Sequence, residues 1–172
     1  MKKVLFIMVV CLLVGSLSAD AQRRRRGSRM ATFQKEKIEC LGVEGDGSQT
    51  LRVTGTGRNV IDAKEQAKKD AVMAVIFDGI RSGMNGCDSR PLIQEMDARD
   101  KYEEYFNIFF MDHGEYLKYV TTEDRRILSN STQVNKYFRN MRLTVRVLRS
   151  ELKQRLIDDG VIRPKVDKYP DD

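Results

Sequence analysis

His113, the only histidine of this chain, could act as a metal ligand or as a general acid or base. Asp112 and Glu115 lie close to it in sequence, and one imidazole with two carboxylates supplies enough ligand atoms for a metal ion. The same groups could serve a small secreted hydrolase as acid and base. All three fall in an expected loop, however, and no second cluster is spaced to complete a metal site. A loop histidine without a catalytic role therefore competes with an enzyme centred on His113.

Nucleophilic catalysis has less support in the sequence. No serine stands in the Gly-x-Ser-x-Gly turn that exposes the nucleophile of many hydrolases. Cys87 and His113 could act together as thiol and base, but neither lies in a flanking motif of a thiol enzyme family. We therefore expect no catalytic residues, no metal-binding residues and a protein that is not an enzyme.

A pair of glycines between an expected strand and an expected helix raises the question of phosphate binding. The Gly-Thr-Gly sequence at 55–57 starts like a dinucleotide fingerprint, but Val60 replaces the third glycine and no Gly-Lys-Ser/Thr follows. An anion could still bind the backbone amides near Asn59, with Arg58 beside it. The alternative is that the glycines let a twisted strand turn into a closely packed helix. We expect no cofactor.

The first residues have the order of an export signal. Lys2 and Lys3 precede an apolar run at 4–17, and Ala19 and Ala21 occupy the small-residue positions that signal peptidase reads. The run is too short to span the hydrocarbon core of a bilayer as a helix. We therefore expect residues 1–21 to be a signal peptide and the protein to be exported, to the periplasm or the outer envelope.

Export would affect which cysteines remain in the mature chain and whether they are oxidised. Cys11 would leave with the signal, so the mature chain would keep Cys40 and Cys87. An oxidising compartment favours a disulfide between them, which would tie the first strand to the end of the first helix. Two unrelated buried thiols are the alternative.

The positive net charge is concentrated in one short segment, because from Ala31 onward the chain has 24 basic and 24 acidic side chains. An exported protein has no obvious nucleic-acid partner, so we expect none. The segment could be a solvated leader without a partner, or it could adsorb to an anionic membrane surface. The residues that would make this contact are Arg23, Arg24, Arg25, Arg26 and Arg29.

Alternation of apolar and polar residues predicts four strands. We expect them at 36–43, at 51–57, at 116–120 continuing towards 127, and at 141–147, with a turn at Asn130 and Ser131 before the last one. The clearest alternation is in the last, where apolar positions from Met141 to Val147 are separated by arginine and threonine.

Three segments have helical character. Asn59 is a good cap for a helix whose buried stripe is made of alanines at three- and four-residue spacing. Residues 91–110 have an aromatic stripe at helical spacing, which usually belongs to a core. Ser150 is the expected cap of a last helix that Gly160 ends.

The order of these elements predicts a single α+β domain at 36–163. It would have an antiparallel or mixed sheet of about four strands with helices packed on one face. Residues 22–35 are expected to be a basic disordered linker, and residues 164–172 a frayed tail.

Two stretches resemble a known family. LRVTGTGRNVIDAKEQAKKDAV (51–72) and FRNMRLTVRVLRSELKQRLIDDG (138–160) are similar to the N-terminal domain of flagellar assembly protein T and to related small envelope lipoprotein domains. The resemblance implies a non-enzymatic protein that supports envelope machinery through protein contacts. The expected function is thus that of an accessory or assembly factor, with an envelope protein or a second copy of the chain as partner. An exposed strand edge or the aromatic helix would make the contact.

Overall fold

The alternating segments form one antiparallel sheet. The computed structural model describes residues 38–84, 86–123 and 131–163. Strand β2 pairs with β1 on one side and with β5 along its whole length on the other, so the order is β1-β2-β5-β3. Short β3 and β4 pair with opposite ends of the free edge of β5. The strands are β1 Ile38–Val43, β2 Gln49–Gly57, β3 Val120–Thr122, β4 Ser131–Gln133 and β5 Arg139–Val147.

Helices cover one face of this sheet, which confirms the predicted α+β class. The longest helix packs across β2 and β5 and continues into a single π turn, Ala74–Asp78. A 3₁₀ helix, Glu115–Tyr119, leads into β3. The α-helices are α1 Val60–Met73, α2 Ala98–Lys101, α3 Glu103–Phe109 and α4 Arg149–Asp158. Within the described ranges, no helix has the length and apolar character needed to cross a membrane.

Small residues bring α1 into backbone contact with the sheet. Ala63, Ala67 and Ala71 lie on the face of α1 that packs on the sheet, and all three are fully buried. A Cβ atom placed on Gly55 would lie 2.1 Å from the Ala63 carbonyl oxygen and 2.4 Å from the Ala67 nitrogen. Only glycine fits there, because real Cβ contacts are never that short. The interpretation of the glycines as a device for close packing is therefore confirmed.

The aromatic stripe lies in the core, as its spacing predicts. Phe106 and Phe109 on α3 are buried, and so is Tyr116 on the 3₁₀ helix. Phe77 meets the Phe106 ring edge-on, with centroids 4.7 Å apart, and Tyr105 stacks on Phe109. The rings at the centre of the stripe are therefore part of the core, and the expected contact through the aromatic helix stays a prediction.

The segment 91–97 is not helical, contrary to the prediction. Its backbone crosses the π turn that continues α1, where the amides of Leu92 and Ile93 donate to the carbonyls of Val75 and Ile76 over 3.1 and 2.9 Å. The last carbonyls of a helix have no partner within it, so a neighbouring segment can bind them. These tertiary hydrogen bonds favour an extended backbone over a helix.

Three further predictions differ from the structure. The third strand is shorter than expected, because residues 115–119 form the 3₁₀ helix and only Val120–Thr122 are extended. Ser131 lies within β4 rather than in a turn. Helix α4 begins one residue before Ser150, and its N-cap Leu148 supplies no side-chain hydrogen bond. The Leu148 amide instead donates to the Tyr119 carbonyl over 2.9 Å, so sheet pairing fixes where the helix begins.

Several expectations lie outside the described residues. They are the signal peptide at 1–21, the basic linker at 22–35 with its five arginines, and the tail at 164–172. The part of the third strand expected beyond residue 123 and the turn residue Asn130 also fall there.

The contact between Gly55 and α1 gives a direct test of the packing. We expect Gly55→Ala to lower the free energy of unfolding by about 1–3 kcal/mol, because the new methyl group must push the helix away from the sheet. Gly45→Ala is the matched control, since a Cβ at Gly45 has no atom within 4 Å. Urea denaturation would measure both, and equal unfolding midpoints would contradict the account.

Candidate interaction surfaces

His113 lies in a tight turn between α3 and the 3₁₀ helix. It is exposed, and its backbone is left-handed with φ of 59°. Asp112 accepts a hydrogen bond from Lys69 Nζ at 2.7 Å, which holds the pKa of this carboxyl below its usual value. Glu115 is bound by Lys118 and Arg155, each at 3.0 Å. No group of three histidine, cysteine or acidic residues in the described part of the chain could hold a metal ion.

The amides at the start of α1 are engaged by the chain itself. The Asn59 side chain accepts from the Asp62 amide at 2.9 Å, so the predicted cap is confirmed. Arg58 Nε lies 3.3 Å from the Asp62 carboxylate. Arg58 is therefore already paired with a carboxylate of the same helix turn.

A disulfide joins Cys40 on β1 to Cys87, with Cα atoms 5.9 Å apart. From the sequence, this bridge and two separate thiols were both open. In this state Cys87 is not available as a nucleophile for His113. The bridge spans 47 residues and fastens the loop that follows α1 to the outermost strand.

The same loop covers the outer edge of β1. The Cys40 amide donates to the Ser82 carbonyl at 2.7 Å, and the Cys40 carbonyl accepts from Met84 at 2.9 Å. Gly83 lies so close that a Cβ there would be 2.4 Å from the Cys40 oxygen. An open strand edge invites pairing with another chain, and this covering prevents it at the centre of β1. The centre of the β1 edge is therefore not open to another strand, and the expected contact through an exposed strand edge stays a prediction.

Buried Tyr116 and half-buried Tyr105 each bind a carboxylate on another element. Tyr116 donates its hydroxyl proton to Glu65 on α1, and Tyr105 on α3 donates to Asp159 at 2.6 Å. Burial, and then the acceptor carboxylate, raises the pKa of both phenols. They stay protonated donors at any physiological pH, so their role is to fix neighbouring elements. Arg155 completes the second contact by binding Asp159 at 2.9 Å.

The face of the sheet away from α1 is polar and carries alternating threonine and arginine. Arg52 pairs with Glu39 at 3.2 Å, and Arg146 pairs with Glu123 at 3.3 Å. The strands place no aromatic side chain on this face, and base stacking on aromatic rings is the usual basis of single-strand recognition by sheets. The described sheet thus gives no support to nucleic-acid binding. The positions concerned on β2 and β5 are Thr50, Arg52, Thr54, Thr56, Asn140, Arg142, Thr144 and Arg146.

The turn between β4 and β5, residues 134–138, exposes large apolar side chains; we call it the hairpin tip. Val134 is 55% exposed, Tyr137 67% and Phe138 45%. Its backbone is nevertheless ordered, because Asn135 Oδ1 accepts from the amides of Tyr137 and Phe138 at 2.8 and 2.9 Å. The Val134 amide also donates to the Phe138 carbonyl at 3.0 Å.

The sequence pattern did not predict the hairpin tip. The turn was expected near Ser131, and no role was predicted for residues 134–137. Asn135 was the available signal, since asparagine readily accepts hydrogen bonds from backbone amides two and three residues on.

Comparison with known proteins gives no relative: no protein family, no curated protein and no solved structure matches this chain. The resemblance to flagellar assembly protein T therefore stays a prediction. Function has to be argued from the surfaces of the molecule.

The disulfide predicts a redox-dependent stability. Replacing Cys40 and Cys87 together by serine should lower the free energy of unfolding by about 4 kcal/mol, the value that the chain-entropy relation gives for a loop of this length. Urea denaturation with and without a thiol reductant would measure the loss. The double variant is its own control, because its unfolding midpoint should not respond to reductant. A wild-type midpoint that reductant leaves unchanged would contradict the bridge.

Proposed function

We propose that this chain is an exported, non-enzymatic protein of the cell envelope that acts as an accessory or assembly factor. It binds another envelope protein, and the hairpin tip is the main contact. The observation that carries the proposal is the exposure of Val134, Tyr137 and Phe138 on a backbone that hydrogen bonds hold in one conformation.

An ordered apolar tip suits protein recognition for energetic reasons. Tyrosine and phenylalanine bring a large contact area with few rotatable bonds, and aromatic residues dominate the binding energy of many interfaces. Because the turn is already ordered, binding loses little backbone entropy. The partner surface that fits such a projection is an apolar recess on a folded protein.

A further apolar side chain lies at the same end of the sheet. Gly57 at the end of β2 pairs with Arg139 at the start of β5, so α1 begins where the hairpin tip leaves the sheet. Ile61 in the first turn of α1 is 77% exposed. This end of the molecule therefore offers a broader apolar surface than the hairpin tip alone.

One observation supports export, and another favours a binding protein over an enzyme centred on His113. The disulfide suits an oxidising compartment, where such bonds persist. The acidic residues near His113 are bound to lysine and arginine rather than gathered around the imidazole. An enzyme centred on His113 would need those carboxylates for its own chemistry.

Removing the apolar side chains of the hairpin tip tests the proposal. Tyr137→Ser with Phe138→Ser should reduce capture of the partner from solubilised native envelopes at least tenfold, with the melting temperature nearly unchanged because both side chains are exposed. Quantitative mass spectrometry of material captured by the purified protein would measure the loss.

Ile108→Ser with Met111→Ser is the matched control, because these side chains are also exposed but lie at the end of α3. It should capture as much partner as the wild type. Equal capture by both double variants would contradict the role of the hairpin tip. If the wild-type protein forms concentration-dependent dimers and the Tyr137 and Phe138 changes abolish them, the partner of the hairpin tip is a second copy of the chain and not another envelope protein.

A further inference from the structure

A cleft of about 650 Å³ opens between the segment 88–95 and the last helix. Helix α4 contributes one wall, and the residues that follow it contribute the end. The volume falls in the range of small-molecule sites, which is roughly 300–1,000 Å³. The residues that line it are separated by more than fifty positions in the sequence, so only the fold brings them together.

Its lining is divided between apolar and charged groups. The apolar side chains are buried or half-buried and form the deeper part, whereas most of the charged ones are exposed at the opening. The apolar lining residues are Pro91, Leu92, Ile93, Ile157, Val161 and Ile162.

The charge at the opening is positive once internal pairs are considered. Asp88 is bound by Arg149 at 2.9 Å, and Glu95 is bound by Lys101 at 3.0 Å. The cleft also has three further cations, Arg90, Lys153 and Arg163, for which the described residues provide no ion pair. Both acidic groups of the lining are thus compensated, and these three positive charges are not.

We propose that this cleft binds an amphipathic anion, with an aliphatic chain in its deeper part and a carboxylate or phosphate head group at its opening. Leu92, Ile157 and Ile162 contact the chain. Lys153 and Arg163 bind the head group, and the Arg149–Asp88 pair holds the wall that faces them. A charged head at an apolar cleft gives the selectivity: a neutral chain loses the ionic contacts, and a short anion loses the apolar ones.

Two sources share this chemistry, a free fatty acid and the anionic lipid of a membrane. The site does not depend on the proposed function. The cleft lies near the end of β5, where α4 begins, and the hairpin tip lies at its start. Nine residues of extended strand, about 30 Å, separate the two ends.

Isothermal titration of the purified protein with decanoate, below its micelle concentration, tests the proposal. We expect saturable binding of decanoate, at least tenfold weaker binding of decanol, and no saturable binding of butyrate or decyltrimethylammonium. Binding of decyltrimethylammonium as strong as that of decanoate would show a merely apolar surface and overturn the proposal, as would no saturable decanoate binding.

Variants locate the site. Lys153→Gln with Arg163→Gln should weaken decanoate binding at least tenfold. Lys64→Gln with Arg142→Gln removes the same charge from α1 and from the polar face of the sheet, at residues that do not line the cleft, and should leave the affinity unchanged. Equal affinities for the two double variants would overturn the assignment.

Vesicles distinguish the source of the ligand. Flotation with phosphatidylglycerol vesicles that depends on Lys153 and Arg163 identifies membrane lipid, whereas decanoate binding without such flotation identifies a free fatty acid. Pure phosphatidylcholine vesicles control for apolar adsorption. Because the Arg23–Arg29 segment is present in both double variants, a difference between them cannot come from that segment.

Discussion

The approach of α1 to the centre of the sheet is the constraint on which the other contacts depend. Gly55 leaves room for the helix backbone, and the buried alanines let it come within van der Waals distance of β2 and β5. From this position Glu65 reaches Tyr116 and Lys69 reaches Asp112, which fixes the segment before β3. The carbonyls of the π turn that continues this helix accept hydrogen bonds from the amides of residues 92 and 93. A larger side chain at position 55 would disturb all of these contacts together.

This packing determines which surfaces remain for recognition. One sheet face is covered by helices, and the β1 edge is covered at its centre by the loop that the disulfide fastens. The polar face pairs much of its charge internally, through Glu39 with Arg52 and Glu123 with Arg146. Among the described residues, the hairpin tip and the cleft beside α4 are two surfaces that this packing leaves open, and they lie at opposite ends of β5. A protein partner and a small anion could therefore bind the same molecule without competing.

Residue periodicity correctly predicted the strands and helices whose buried faces follow a regular spacing along the chain. The alternation of Met141 to Val147 gave β5, and the alanine spacing gave the buried face of α1. The segment 91–97 could not be predicted in this way, because its conformation depends on carbonyls about seventeen residues earlier in the chain. The hairpin tip was missed because the turn was expected at Asn130 and Ser131; Asn135 indicates a turn, but nothing local shows that Tyr137 and Phe138 are exposed. The cleft depends wholly on the tertiary arrangement.

The central claim is that the hairpin tip touches a protein partner in the envelope, and site-specific photo-crosslinking in intact cells measures this directly. A photoreactive phenylalanine analogue at position 137 replaces a side chain that is 67% exposed, and the same analogue at position 108 replaces one that is 66% exposed. The account predicts one light-dependent adduct of defined mass from position 137 and none from position 108. Adducts of equal yield from both positions, or an adduct from position 108 alone, would contradict it.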